Sequence, residues 1–154
     1  MKYNRIIGIF LIVCVAITFL GVVSAEEITV GGEKFNIPDG FNRNEGGCYV
    51  AKGTTTSEEV ALYDIVDNAE YISILVSSSA GIEPTLPIDS KYEEKTIAGI
   101  DGKYGEDEAG VTFMYTNNEN FISISLSHNC SVSFEDIIIN TTSEGSSSVF
   151  DLFK

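Results

Sequence analysis

The stretch TIAGIDGKYGEDEAGVTFMYTNNENFISISLS, residues 96–127, decides how this chain folds. Its second half carries the stronger pattern. Val111, Phe113 and Tyr115 recur at every second position, and Ile122, Ile124 and Leu126 alternate with Ser123, Ser125 and Ser127. A period of two sends one set of side chains to a buried face and the other toward water, the signature of a β-strand. The two strands, Val111 to Tyr115 and Phe121 to Leu126, are joined across Asn117-Asn118. The first half, Gly99-Ile100-Asp101-Gly102-Lys103-Tyr104-Gly105, reads as a glycine-punctuated turn. A lone hairpin buries too little apolar surface to be stable, so other strands must complete the sheet.

Upstream, Tyr71 to Ser78 repeats the pattern, with Ile72, Ile74 and Val76 alternating against Ser73, Leu75 and Ser77. Glu59 to Val66 is apolar on both faces and is assigned as the partner strand, because Asp67-Asn68 supplies a turn between the two. Ile28 to Val30 and Lys34 to Ile37 form another hairpin around Gly31-Gly32, where positive φ is free of steric cost. Cys48 to Lys52 is a short strand between polar loops at 42–47 and Gly53 to Ser57. Gly81 to Pro87 contains two prolines, which exclude a central strand, and reads as a crossing from one part of the sheet to another. Ser90 to Lys95 is either a helical turn or the lead into the strand at Thr96. Downstream, Ser133 precedes Phe134-Glu135-Asp136, a hydroxyl cap followed by carboxylates at the positive end of a short helix, the reading adopted, although Ile137-Ile138-Ile139 fits a strand just as well. The expected class is α+β: mainly antiparallel β-sheet built from sequential hairpins, with one or two short helices packed on it.

Lys2 and Arg5 open the chain, and no charge follows until Glu26. Val23-Ser24-Ala25 supplies small residues where a signal peptidase cleaves, so residues 1–25 are a signal peptide or an uncleaved anchor that crosses the membrane through residues 6–23. Cys14 follows Val13 rather than a small residue, which argues against lipoprotein processing. Both outcomes place residues 26–142, a single domain, outside the membrane, exported as a secreted or surface-anchored protein. Residues 143–154 are a Ser/Gly spacer and an apolar tail, Val149 to Lys154, expected to fold back on the domain, with disorder or a partner contact as the alternatives.

The chain carries a formal net charge of −14. Both basic residues of the leader precede the first acidic one, so the exported part is more acidic still. Such a domain repels phosphate backbones, which excludes nucleic acid as a partner. Cys48 and Cys130 are the two cysteines of the exported part, and in an oxidising compartment they are expected to pair. A loop of that length would stabilise the fold by roughly 4 kcal/mol in the chain-entropy account. The competing use of Cys130, as a nucleophile with His128 as base, lacks a third group to orient the imidazole.

The oxygen-rich run from Asp101 to Glu108 resembles a calcium loop, but Lys103, Glu106 and Thr112 occupy positions where the helix-loop-helix pattern needs a ligand, a glycine and a glutamate. Asp101, Asp107 and Glu108 remain as weak Ca2+ candidates, and no other cofactor is expected. Gly99, Gly102 and Gly105 do not have the spacing that cradles a dinucleotide pyrophosphate. Ser77-Ser78-Ser79-Ala80-Gly81 lacks the first glycine of a nucleophile elbow. One histidine and two cysteines fall short of a zinc site. Two glycosylation sequons, at Asn129 and Asn140, stand in the exported part.

Phe35-Asn36-Ile37-Pro38-Asp39-Gly40-Phe41, and Ile100-Asp101-Gly102-Lys103-Tyr104 leading into Thr112-Phe113-Met114-Tyr115, resemble segments of small exported proteins of methanogenic archaea. The resemblance spans residues 28 to 140 and implies an extracytoplasmic archaeal domain, with no activity or catalytic residue attached. The function expected is a non-enzymatic module that binds a protein or a cell-surface polymer. The alternatives are an extracellular carboxylate-dependent hydrolase and a carrier of a small apolar ligand.

Overall fold

The computed structural model describes residues 25–89 and 91–139. Ten strands follow one another: β1 (Ala25–Val30), β2 (Glu33–Pro38), β3 (Asn42–Arg43), β4 (Tyr49–Lys52), β5 (Thr56–Ile65), β6 (Glu70–Ser79), β7 (Glu93–Ile97), β8 (Ile100–Glu106), β9 (Gly110–Asn117) and β10 (Asn120–Ser127). Among the described residues one short α-helix, α1 (Phe134–Ile137), follows them. All pairings between these strands are antiparallel. β1 and β2 form a sheet of their own, while the other eight make a second sheet in the order β3-β5-β6-β10-β9-β8-β7, with β4 also on β5.

The alternating residues sit where their period puts them. Ile122 faces Tyr115, Ile124 faces Phe113 and Leu126 faces Val111 across the β9–β10 pair. The same isoleucines and leucine face Val76, Ile74 and Ile72 of β6 on the other side. Phe113, Ile72, Ile74, Ile122 and Ile124 are fully buried. The intervening turn is Asn118-Glu119, one residue later than the pattern suggests, and Asn118 takes the left-handed conformation at φ 53°.

This apolar face is covered by the β1–β2 hairpin and by α1. Val30, Phe35 and Ile37 descend from the hairpin, and Phe134, Ile137 and Ile138 come from the helix and its end. The Phe134 ring packs 5.8 Å from that of Phe113 and edge-on at 6.3 Å from that of Tyr104. Ser133 donates from its backbone N–H and its hydroxyl to Asp136 Oδ2, at 2.8 and 2.9 Å, so the serine and acidic residue read as a helix start do cap it. Gly31 brings the hairpin tip so close to the sheet that a Cβ there would lie 2.5 Å from Val76 Cγ1. Glu33 holds the same tip by accepting from Asn117 Nδ2 at 2.7 Å and Asn120 Nδ2 at 2.6 Å. Tyr115 lies under this contact, and its burial, with Glu33 nearby, pushes its phenol well above the usual tyrosine range.

The stretch Gly99 to Gly105 is a correction to the sequence reading. It is a strand, β8, and the turn is Ala98-Gly99 alone, with φ of 51° and 77°. Gly102 and Gly105 serve close packing rather than turning. A Cβ on Gly102 would lie 2.4 Å from the Met114 carbonyl oxygen and 2.7 Å from the Phe113 ring, and one on Gly105 would lie 2.4 Å from the Tyr92 ring. Of the stretch read as a helical turn or a lead-in, Lys91 and Tyr92 lead into a strand that starts at Glu93, and Ser90 lies outside the described residues. The proline-containing segment after β6 carries the chain from the middle of the large sheet to β7 at its far edge, as its composition suggested.

β1 begins at Ala25, the last residue of the segment read as a leader. Among the described residues no helix is long and apolar enough to cross a membrane. The expected span at 6–23, the tail at 143–154 and the sequon at Asn140 lie outside the described residues.

Candidate functional site

The outer face of the large sheet, opposite the core, is rich in hydroxyls because serines fill the alternate positions of β6 and β10. At one end of it the β5–β6 register sets Thr56 against Ser79, Ser57 against Ser78 and Glu58 against Ser77. The turn that feeds β5 is closed by Gly53 N–H donating to the Thr56 carbonyl at 2.8 Å, and Ala80 N–H donates to the Thr55 carbonyl at 2.7 Å. These bonds dock the start of the β6–β7 connection beside the β4–β5 turn.

Three neighbouring cavities open there, of about 460, 280 and 170 Å³. The first two share Lys52, Gly53, Thr56 and Ser57, and Ser77 joins the largest to the smallest. They form one groove that wraps the end of the sheet. Thr54, Thr55, Thr56, Ser57, Ser77, Ser78 and Ser79 contribute seven hydroxyls to it, and none of these makes a side-chain hydrogen bond within the described residues. Some hydroxyls elsewhere are engaged, Thr96 with Asp101, Thr112 with Ser125, Ser131 with Glu70 and Ser133 with Asp136, while Thr29, Ser73, Thr116 and Ser123 stand singly without such bonds among the described residues; what distinguishes the groove is that seven free hydroxyls gather in one place.

Phe121 stands beside Ser77 on the same face, and beyond Ser77 comes Glu58. Glu58 accepts a hydrogen bond from the phenol of Tyr49, which raises that phenol's pKa. The outer face therefore presents an aromatic ring, a hydroxyl, a carboxylate and a second aromatic ring in succession across three strands and β4. Lys52, Glu83 and Glu119 are the remaining charged residues of the groove. Tyr49 and Val50 are 48% and 58% exposed on β4, whose outer side pairs with no described strand.

The residues singled out from the sequence lie elsewhere. Asp101 is the second residue of β8 and accepts from Thr96 Oγ1 at 2.6 Å, whereas Asp107 lies past its far end and accepts from Ala109 and Gly110 N–H at 2.8 and 3.2 Å. The length of β8, roughly 20 Å at about 3.3 Å per residue, separates them. Asp101 is thus not brought to Asp107 and Glu108, the three residues read as weak calcium candidates. Among the described residues no group of three or more His, Cys, Asp or Glu side chains is placed to hold a metal ion.

The expected Cys48–Cys130 disulfide is corrected as well, because both thiols are free. Cys48 Sγ lies on the outer side of β5, 3.4 Å from the N–H of Leu62. Cys130 follows β10 and donates to the Tyr71 carbonyl at 3.7 Å, on the side of β6 that faces β10. Both β5 and β6 stand between the thiols, at about 4.8 Å per strand, while a disulfide requires Cα atoms roughly 5.5 Å apart. Burial raises the Cys130 thiol pKa, which makes it a poor nucleophile. His128, the base imagined for it, is occupied instead by the β8–β9 turn, with Nε2 2.7 Å from the Asp107 carbonyl oxygen and Nδ1 3.4 Å from Glu106.

The Asn129 sequon is tied into the fold. Asn129 Nδ2 donates to the Asn68 carbonyl at 2.7 Å, and Ser131 donates to Glu70 from its N–H at 2.7 Å and its hydroxyl at 2.6 Å. These bonds hold the Glu70 carboxyl below its usual range.

Composition read the groove residues as a loop and as a failed nucleophile elbow. The signal was nevertheless in the sequence: two hydroxyl runs, 54–57 and 77–79, equidistant from the turn at Asp67-Asn68, must meet once the hairpin closes. Comparison with known proteins adds nothing to this geometry, since no family model, curated protein or solved structure matches the chain.

Proposed function

We propose that this chain is an exported, non-enzymatic binding module, secreted or held at the outer face of the membrane by residues 6–23, in the manner of the archaeal proteins it resembles. Its partner is a protein or a surface polymer, and the groove between β4, β5 and β6 receives it. The observation that carries this reading is the convergence, beside two aromatic rings, of seven hydroxyls that make no side-chain hydrogen bond among the described residues. Polar groups that the fold does not use, gathered on a concave surface, are what a recognition site requires. The α+β description fits the same purpose: a rigid antiparallel sheet backed by a hairpin and a helix, with its binding residues at one end.

The carrier alternative loses support because the interior between sheet and hairpin is filled by Phe35, Phe113, Ile72, Ile74, Ile122 and Ile137. The hydrolase alternative rests on Glu58, Glu83 and Glu119 around the groove. The test is to crosslink the native chain in place on cells and to measure its intact mass from membranes and from medium. Crosslinks from Lys52 to envelope material outside the membrane are expected. Recovery in the cytoplasm would refute the reading, as would an activity that falls at least about a hundredfold when one groove carboxylate is neutralised.

A further inference from the structure

We infer that the partner is a neutral polyhydroxylated chain, an uncharged polysaccharide, lying in the groove across the ends of β5 and β6; this rests on the binding-module reading above. Three features select that chemistry. A hydroxyl donates one hydrogen bond and accepts two, so a groove lined by Thr54, Thr55, Thr56, Ser57, Ser77, Ser78 and Ser79 is matched by a ligand whose groups also do both. An apolar ligand would leave those seven groups unsatisfied, and a purely anionic one would use them as donors only.

Charge is the second feature. Among the described residues Lys52 is the one cation of the groove, against Glu58, Glu83 and Glu119, in a chain of net charge −14. Uronates, phosphates and sulfates are repelled there, which leaves the uncharged polymers. The third is the aromatic pair. Phe121 and Tyr49 lie on one face of the sheet on either side of Ser77 and Glu58, and the electron-rich face of an aromatic ring attracts the C–H face of a sugar ring. Glu58, fixed by the Tyr49 phenol, keeps a second oxygen free to accept from a pair of sugar hydroxyls. A peptide would use the surface differently, adding a strand to the outer edge of β4 and contacting few of the hydroxyls.

The experiment uses the full chain in mild detergent, with immobilised dextran, mannan and laminarin as neutral polymers and polygalacturonate as the charged counterpart. Retention on at least one neutral polymer is expected, with weak or no retention on polygalacturonate. Phe121→Ala, and separately the surface variant Thr55→Ala/Ser79→Ala, should each weaken retention about tenfold, a difference of roughly 1.4 kcal/mol. Thr112→Ala, on the same face outside the groove, should leave it unchanged. Far-UV circular dichroism checks that each variant is folded, and the double hydroxyl variant decides the matter if Phe121→Ala is not.

Equal or tighter binding of polygalacturonate would overturn the inference, as would retention indifferent to the hydroxyl variants or no retention on any neutral polymer. Binding of an extended peptide that is abolished by Val50→Pro and insensitive to Thr55→Ala/Ser79→Ala would also overturn it, while leaving the binding-module reading in place. Failure to retain polysaccharide, peptide or isolated envelope material would bring down both.

Discussion

Replacing Gly102 with alanine separates a turn from a strand at the centre of the fold. If residues 99–105 formed an exposed turn, one added methyl group at a glycine without positive φ would change stability by no more than about 0.5 kcal/mol. In β8 the methyl meets two obstacles at once, the Met114 carbonyl oxygen at 2.4 Å and the Phe113 ring at 2.7 Å. Phe113 is fully buried between Phe134 and Tyr115, and the carbonyl belongs to the neighbouring strand, so neither moves without disturbing the sheet. Overpacking of this kind costs about 1–3 kcal/mol. For a domain of this size each kcal/mol lowers Tm by roughly 4 °C, so Gly102→Ala should melt about 4–12 °C below the parent. Thermal and urea unfolding followed by far-UV circular dichroism measure it. Gly46→Ala, where the nearest atom is Asn44 Oδ1 at 3.4 Å, is the near-neutral control. Phe113→Leu should recover part of the loss when combined with Gly102→Ala, giving a double-mutant coupling of about 0.5 kcal/mol or more. A Gly102→Ala protein as stable as its parent would show that β8 does not pack as described.

Acidification should destabilise the domain through Glu70. Its folded-state pKa is lowered, first by the Ser131 hydroxyl and then by the Ser131 N–H. The stabilisation is therefore present above the unfolded value and is lost as pH falls through the folded one. A Tm–pH profile should drop on the acid side of about 4.3 and flatten there in Glu70→Gln. Glu33→Ala should cost about 1–3 kcal/mol, because it leaves the amides of Asn117 and Asn120 without their acceptor and loosens the hairpin from the sheet. An unchanged urea midpoint would contradict that role. Alkylation of the denatured but unreduced chain should label the peptides of both Cys48 and Cys130, with no two-hydrogen gain in intact mass on reduction. A bridged Cys48–Cys130 peptide would refute the observed separation of the thiols.

Alternating residues made the β6, β9 and β10 strands legible, and Ser133 with Asp136 made the helix legible, because these signals depend only on near neighbours in the chain. The sequence by itself also determined the charge and the filled core face, since Phe113, Ile122 and Ile124 can be buried together in only one register. Strand order was another matter. That β10 returns to pair with β6, leaving β7 at the far edge, depends on contacts between residues about fifty apart. No local period encodes such contacts. The same distance effects gave Gly102 and Gly105 their packing role, dispersed Asp101 from Asp107, and put two strands between Cys48 and Cys130. The groove lies between these cases. Each hydroxyl run was plain in the sequence, but only the closed β5–β6 hairpin set Thr56 and Ser57 against Ser79 and Ser78, and only the sheet brought Phe121 and Tyr49 to their sides. A site assembled from four strands is a property of their pairing, and pairing is settled by the burial of whole faces rather than by any single stretch of chain.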